Sequence, residues 1–297
     1  MKKTVFKYSF FIAKSLLALL CVVFVWKKLS FNFNNFKMIF QGADFERYMF
    51  LFFVVLLMLV NWFLEVLKWK LLSGRNLKNS FEDTSKSVAL SLLIPSEIAE
   101  LVTKSFKIHK TNEAIIGSVV QTLVTIFFGI GSLYFLGFVK LFFVGIGFVV
   151  LVIGFLIWLL KSNINCGFVN EFKEKLSLFV NNKKIVFSVL MLAIVRYLVF
   201  VVQFIFLAIF TLTYINVSLL LSGFGVMMLV KTIVPSAGIL GDVGIREVSA
   251  YWVFQDSGLE VVKVMWVSLI LWAVNILPIS MCGIWFWLKR KNNSNSL

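Results

Sequence analysis

Histidine occurs once in the 297 residues and cysteine three times, and neither is placed for chemistry. His109 stands alone in a basic loop, and Cys21, Cys166 and Cys282 are scattered and odd in number. That pattern reads as neither a disulfide framework nor a metal site. No phosphate-binding Gly-x-x-x-x-Gly-Lys run is present, so ATP hydrolysis is not expected. Gly238-x-x-Gly241-x-x-Gly244 has the wrong spacing and no strand-helix-strand context for a dinucleotide fingerprint, and no cofactor is expected. No stretch is long and polar enough for a separate soluble domain. Residues 1–291 therefore read as one membrane unit, with 292–297 a solvated, disordered tail.

What fills the chain instead is apolar. Apolar residues make up 60%, mean hydropathy is +0.96, and several uncharged runs reach about 20 residues, the length that crosses a ~30 Å hydrocarbon core. The fold class that follows is an all-α polytopic integral membrane protein. A net charge of +15 points to nucleic acid in a soluble protein. Here it reads as Lys and Arg held on the cytoplasmic side near anionic headgroups, and no nucleic-acid partner is expected.

Six segments are expected to span: 10–26, 48–69, 114–138, 141–160, 185–210 and 262–288. The first has the basic start of a signal peptide but no small-residue cleavage site, so it reads as an uncleaved helix. Residues 74–86 read as a polar link. Residues 161–184 carry Phe168, Phe172, Leu176 and Phe179 at helical spacing among Lys and Glu, the pattern of a helix lying on the membrane surface. Two more segments are interrupted: 88–102, itself too short to span, at Pro95-Ser96, and 219–254, whose piece 219–234 is too short to span, at Pro235-Ser236. Treating both as re-entrant broken-helix hairpins puts both termini and 20 of the 29 Lys and Arg on the cytoplasmic side. Eight then lie outside and Arg196 within a span, an asymmetry of the kind that sets orientation. Hairpins that open to opposite faces are expected to be related as an inverted repeat, which frames a midplane substrate site in transporters.

The stretch from Pro235 to Tyr251 concentrates the chemistry. A backbone interrupted by Pro235, Gly238, Gly241 and Gly244 inside a membrane has to be buried in protein or line a wet cavity. On one reading Lys231, Arg246 and the free N–H groups of a helix starting at Ile245 converge on a phosphate or carboxylate. On the other, Arg246 pairs with Asp242 or Glu247, the glycines serve packing, and Glu247 caps the helix start. Glu97 and Glu100, just after Pro95, either stabilise a helix start or belong to the site. Arg196 lies too deep in its span to reach either face, and points into the bundle toward a carboxylate or a lipid phosphate. Glu65 and Lys68, three apart near a helix end, read as an ordinary surface pair.

Gly241-Asp-Val-Gly244-Ile-Arg246-Glu247 after a proline resembles the Gly-Gly-Leu-Gly-Val-Arg-Glu signature of the lysylphosphatidylglycerol synthase transmembrane family, also called the flippase-like domain. Lys68-Trp69-Lys-Leu71-Leu72 is similar to that family's Arg-Trp-x-x-Leu-Leu. Ile94-Pro95 through Glu100 to Lys104 is similar to its Leu-Pro-x-x-x-Gly-Glu-x-x-Arg. The three matches fall in the family's order and cover nearly the whole chain. Asp242 and Ala99 stand where the family has glycine, and Thr103 where it has arginine. The resemblance implies a stand-alone flippase-like membrane member without the aminoacyltransferase domain of fused members, so no enzyme activity is expected. It implies translocation of an anionic phospholipid or a polyprenyl-phosphate-linked glycolipid between leaflets of the bacterial cytoplasmic membrane. The partners are then lipids with anionic headgroups, together with a second copy of the chain or a separate lipid-modifying enzyme. The rival reading is a membrane enzyme or accessory subunit in lipid-linked sugar or envelope-lipid metabolism.

Overall fold

The computed structural model describes residues 20, 23–25, 27, 45–94, 99–100, 102–103, 111–161, 174, 176–234 and 238–294. Among them are no strands and eight long helices: α1 (Phe45–Ser73), α2 (Leu77–Ser91), α3 (Thr111–Phe135), α4 (Val139–Lys161), α5 (Lys183–Thr211), α6 (Val217–Ile233), α7 (Gly238–Phe254) and α8 (Val261–Ser294). Four of these, α1, α3, α5 and α8, are long and apolar enough to cross a membrane. The expected span 10–26 lies mostly outside the described residues. The span 141–160 lies within the 23-residue α4. Of the expected surface helix, Phe168 and Phe172 lie outside the described residues; 176–181 is helical and Phe179 half-buried. Pro95, Glu97 and Pro235 also fall outside them.

α5 is the central helix, packed against α1, α3, α6 and α8. Its inward face of Ala193, Tyr197, Phe204, Leu207 and Ala208 belongs to the main core, with Val54, Phe224, Met227 and Met265 from its neighbours. Gln203 of α5 reaches Val54 of α1, while Arg196 reaches Glu65, so the two helices run antiparallel.

α6 and α7 pack together as a helical hairpin. α6 and α7 have 17 residues each, about 25 Å at 1.5 Å per residue and short of a ~30 Å core. Thr213, just before α6, donates to the Glu260 carboxylate just after α7 at 2.7 Å, so the hairpin leaves and returns at one face. Partial burial works against ionisation of Glu260, but hydrogen bonds from Lys263 and Thr213 hold its carboxyl below the usual range. Phe254 of α7 sits on Gly223 of α6, where a Cβ would fall 2.1 Å from the ring.

The polar link expected over 74–86 is instead mostly α2. The Asn76 side chain accepts from the Asn79 N–H at 2.9 Å and starts the helix, as capping asparagine does. Its buried face is polar: Ser80, Asp83, Thr84 and Ser87. Asp83 takes Arg75 at 2.8 Å and Trp69 Nε1 at 3.4 Å, and Lys86 pairs with Glu82. Its few apolar positions, among them Leu77, Phe81 and Val88, stand in a segment dominated by hydroxyls and charges, so the segment reads as a polar link. α2 lies along α8, made close by Gly283, where a Cβ would fall 2.1 Å from the Ser85 carbonyl oxygen.

Two further boundaries differ from expectation. α7 starts at Gly238 rather than Ile245, so Gly241 and Gly244 lie inside a helix. α8 runs through Pro278 and on to Ser294; the proline lacks the N–H that would bond the Val274 carbonyl.

The Ser85 carbonyl is backbone and cannot swing aside, so Gly283→Ala is expected to destabilise the fold by roughly 1–3 kcal/mol, as overpacking does. Gly131 has open space around its Cβ position, and Gly131→Ala is expected to be neutral or slightly stabilising. Thermal unfolding of the two variants in detergent checks the contrast.

Candidate functional site

The inside of this bundle carries a line of polar side chains. Asn61, Glu65 and Lys68 repeat at i, i+4 and i+7, one face of α1, and all three are buried. Arg196 of α5 comes to them: Nη1 donates to Glu65 Oε2 at 2.5 Å and Nε to Asn61 Oδ1 at 3.0 Å. Its guanidinium also lies 5.5 Å from the Trp62 ring centre and 5.7 Å from that of Phe200. Lys68 sits 2.7 Å from the same Glu65 oxygen.

From Asn61 the line continues to α8. Asn61 Nδ2 donates to Asn275 Oδ1 at 3.0 Å, Asn275 Nδ2 to Gln203 Oε1 at 3.2 Å, and Gln203 Nε2 to the Val54 carbonyl at 2.9 Å. Trp62 Nε1 donates to the Asn275 carbonyl at 2.7 Å. Asn61, Arg196 and Asn275 each lie within two residues of the midpoint of Phe45–Ser73, Lys183–Thr211 and Val261–Lys289. From Val54 to Lys68 the line covers about 21 Å along α1 at 1.5 Å per residue, most of a hydrocarbon core. Glu65 and Lys68 are therefore not a surface pair: at 6% and 3% exposure they hold a charge in mid-bundle. Glu100, beyond the first break, lies near Lys68 and accepts from Ser118 of α3 at 2.7 Å.

A second cluster surrounds the α6–α7 break. Lys231, in the last turn of α6, meets Asp242 of α7 at 3.1 Å and ties the two arms together. Arg246 stands four residues after Asp242 on the same helix face, a favourable spacing for an acid and a base. Its Nε is 3.8 Å from Glu247 Oε1, too far for a hydrogen bond, because adjacent helical residues do not face each other. Arg246 is 4% and Glu247 0% exposed. Among the described residues, Arg246 Nε and Nη2 and both Glu247 oxygens have no hydrogen-bond partner. Ser268 of α8 lies beside Glu247, and Trp272 beside Asp242.

The two clusters share one helix. Ser268, Trp272 and Asn275 repeat at i, i+4 and i+7 along α8 and connect the α6–α7 break with the line through Arg196. Among the described residues each cluster is balanced: Lys68 and Arg196 against Glu65 and Glu100, Lys231 and Arg246 against Asp242 and Glu247.

Arg246, Glu247, Asp242 and Lys231 thus come together as the sequence implied, and Glu100 and Arg196 come together in the other cluster. The helix N-terminus expected beside Arg246 is not there. α7 begins eight residues earlier, about 12 Å away at 1.5 Å per residue, so Glu247 does not cap the helix start. The sequence reading passed over Asn61, Gln203 and Asn275 as site residues, although amides near the middle of apolar runs are a signal in themselves. Among the described residues no group of His, Cys, Asp and Glu is arranged to hold a metal.

No family model, curated protein or solved structure matches the chain.

Glu65 faces two cations, so Glu65→Ala is expected to cost about 3–5 kcal/mol, the price of breaking a buried pair. Combining Glu65→Met with Arg196→Met leaves Lys68 beside Glu100 and is expected to be closer to neutral. Unfolding of both in detergent, with folding judged by size exclusion, checks the order.

Proposed function

We propose that this chain is a flippase-like membrane protein that carries the headgroup of an anionic lipid between leaflets. The observation that supports it best is the Arg246–Glu247 couple, buried next to α8 with Arg246 Nε and Nη2 lacking hydrogen-bond partners among the described residues. A charged headgroup needs cations and donors where the bilayer offers none, and ionisable residues at that depth are functional sites by default. Lys231, Asp242, Arg246 and Glu247 at the second break, with Glu100 and Arg196 on the first side, form the proposed path.

The reading extends to six spans with both termini cytoplasmic, the two broken elements being related as an inverted repeat. It also extends to membership in the lysylphosphatidylglycerol synthase transmembrane family, on the strength of the Gly241–Glu247 stretch. An anionic phospholipid and a polyprenyl-phosphate-linked glycolipid share the phosphate that Arg246 is suited to bind, since guanidinium offers two parallel donors to one phosphate. In this account no covalent step occurs. The headgroup displaces Glu247 as the partner of Arg246 and then moves along the amides toward Arg196. The charge balance of both clusters favours a second reading, in which the broken helices serve packing within an accessory subunit.

Reconstitution into vesicles with fluorescent phosphatidylglycerol separates the two. Arg246→Ala is expected to abolish headgroup-dependent translocation and Arg246→Lys to restore it only partly. Arg246→Ala combined with Glu247→Gln, which leaves no buried charge unpaired, is expected to fold and remain inactive. Full translocation by that double variant favours the packing reading.

A further inference from the structure

A lateral groove lies between α1, α2 and α8, with Trp62 between it and the polar line. Met58, Leu59, Trp62, Phe63 and Val66 form one wall, Pro278, Ile279 and Cys282 the second, and Leu77, Lys78 and Phe81 its end. Its volume of about 630 Å³ is that of a small-molecule site. The groove opens sideways: Leu59, Phe63 and Cys282 are exposed on helices long and apolar enough to cross a membrane, so what reaches it there is lipid.

One end carries a charge. Lys78 stands in the first turn of α2, at the face where α1 ends, and is exposed. The two acids of α2 are already engaged, Glu82 with Lys86 and Asp83 with Arg75. Lys78 enters no ion pair among the described residues, which leaves an uncompensated cation at the mouth of an apolar slot. We propose that the groove is a binding site for one acyl chain of an anionic phospholipid, with the phosphate at Lys78. The inference does not depend on translocation.

The occupant would be felt inside the bundle. Trp62 is shared: it lines the groove, its ring also carries the Arg196 guanidinium, and its Nε1 bonds the Asn275 carbonyl. A chain lodged in the slot packs against the ring that steadies the central arginine.

Cys282, on the groove wall, is a native reporter. In the full chain with Cys21→Ser and Cys166→Ser, alkylation of Cys282 by N-ethylmaleimide is followed in mixed micelles containing phosphatidylglycerol or phosphatidylcholine. Phosphatidylglycerol is expected to slow the reaction at least about fivefold more than phosphatidylcholine, and Lys78→Gln to erase the difference. As control, Ile284→Cys in a Cys282→Ser background places the thiol on exposed α8 surface outside the groove, and its rate is expected to be the same in either lipid. Equal protection of Cys282 by both lipids, protection unchanged by Lys78→Gln, or equal slowing at position 284 overturns the proposal.

Discussion

One guanidinium, Arg196, fixes what the rest of the bundle must do. It sits near the middle of α5, where neither membrane face is within reach and an unpaired charge costs several kcal/mol. Glu65 and Asn61 hold it, Trp62 covers it, and Asn275 and Gln203 extend the hydrogen bonding. Those partners come from α1, α5 and α8, so the same contacts that satisfy the arginine also set the register of three crossing helices. Lys68 adds a second cation to Glu65, and Glu100 lies close enough to Lys68 to balance it.

The α6–α7 hairpin is built differently. Small residues and rings pack its arms, through Gly223 against Phe254 and Gly225 against Ser132 of α3. Its tip is tied by the partly exposed Lys231–Asp242 pair. Below the tip, Arg246 Nε and Nη2 are buried without a hydrogen-bond partner among the described residues, and Glu247 has Ser268 beside it. The first network is saturated and holds helices in place, whereas the second has bonding capacity left for a ligand or for a different arrangement of the hairpin.

Much of this was legible in the sequence, for identifiable reasons. Apolar runs announced α1, α3, α5 and α8, because lipid-facing surface leaves little room for other residues. Pro235 and the glycines after it marked the break, and Arg196 in an apolar run demanded an internal partner. That partner, Glu65, was hidden by its neighbourhood: Lys68, Trp69 and Lys70 look like an interfacial helix end, yet α1 continues to Ser73 and buries the first two. α2 was illegible because its buried face is made of hydroxyls and ion pairs. The start of α7 was misplaced because glycine normally punctuates a helix, while here Gly241 and Gly244 lie within one.

The central claim is that the polar side chains along α8 line a path that opens to water during function. Ser268, fully buried beside Glu247, tests it most directly. With the three native cysteines replaced by serine, Ser268→Cys in reconstituted vesicles is treated with a membrane-impermeant thiosulfonate. The account predicts modification from one side, slowed when an anionic lipid is present in excess. A thiol at 268 that stays inert, while one at the loop position Ser257 reacts, contradicts it.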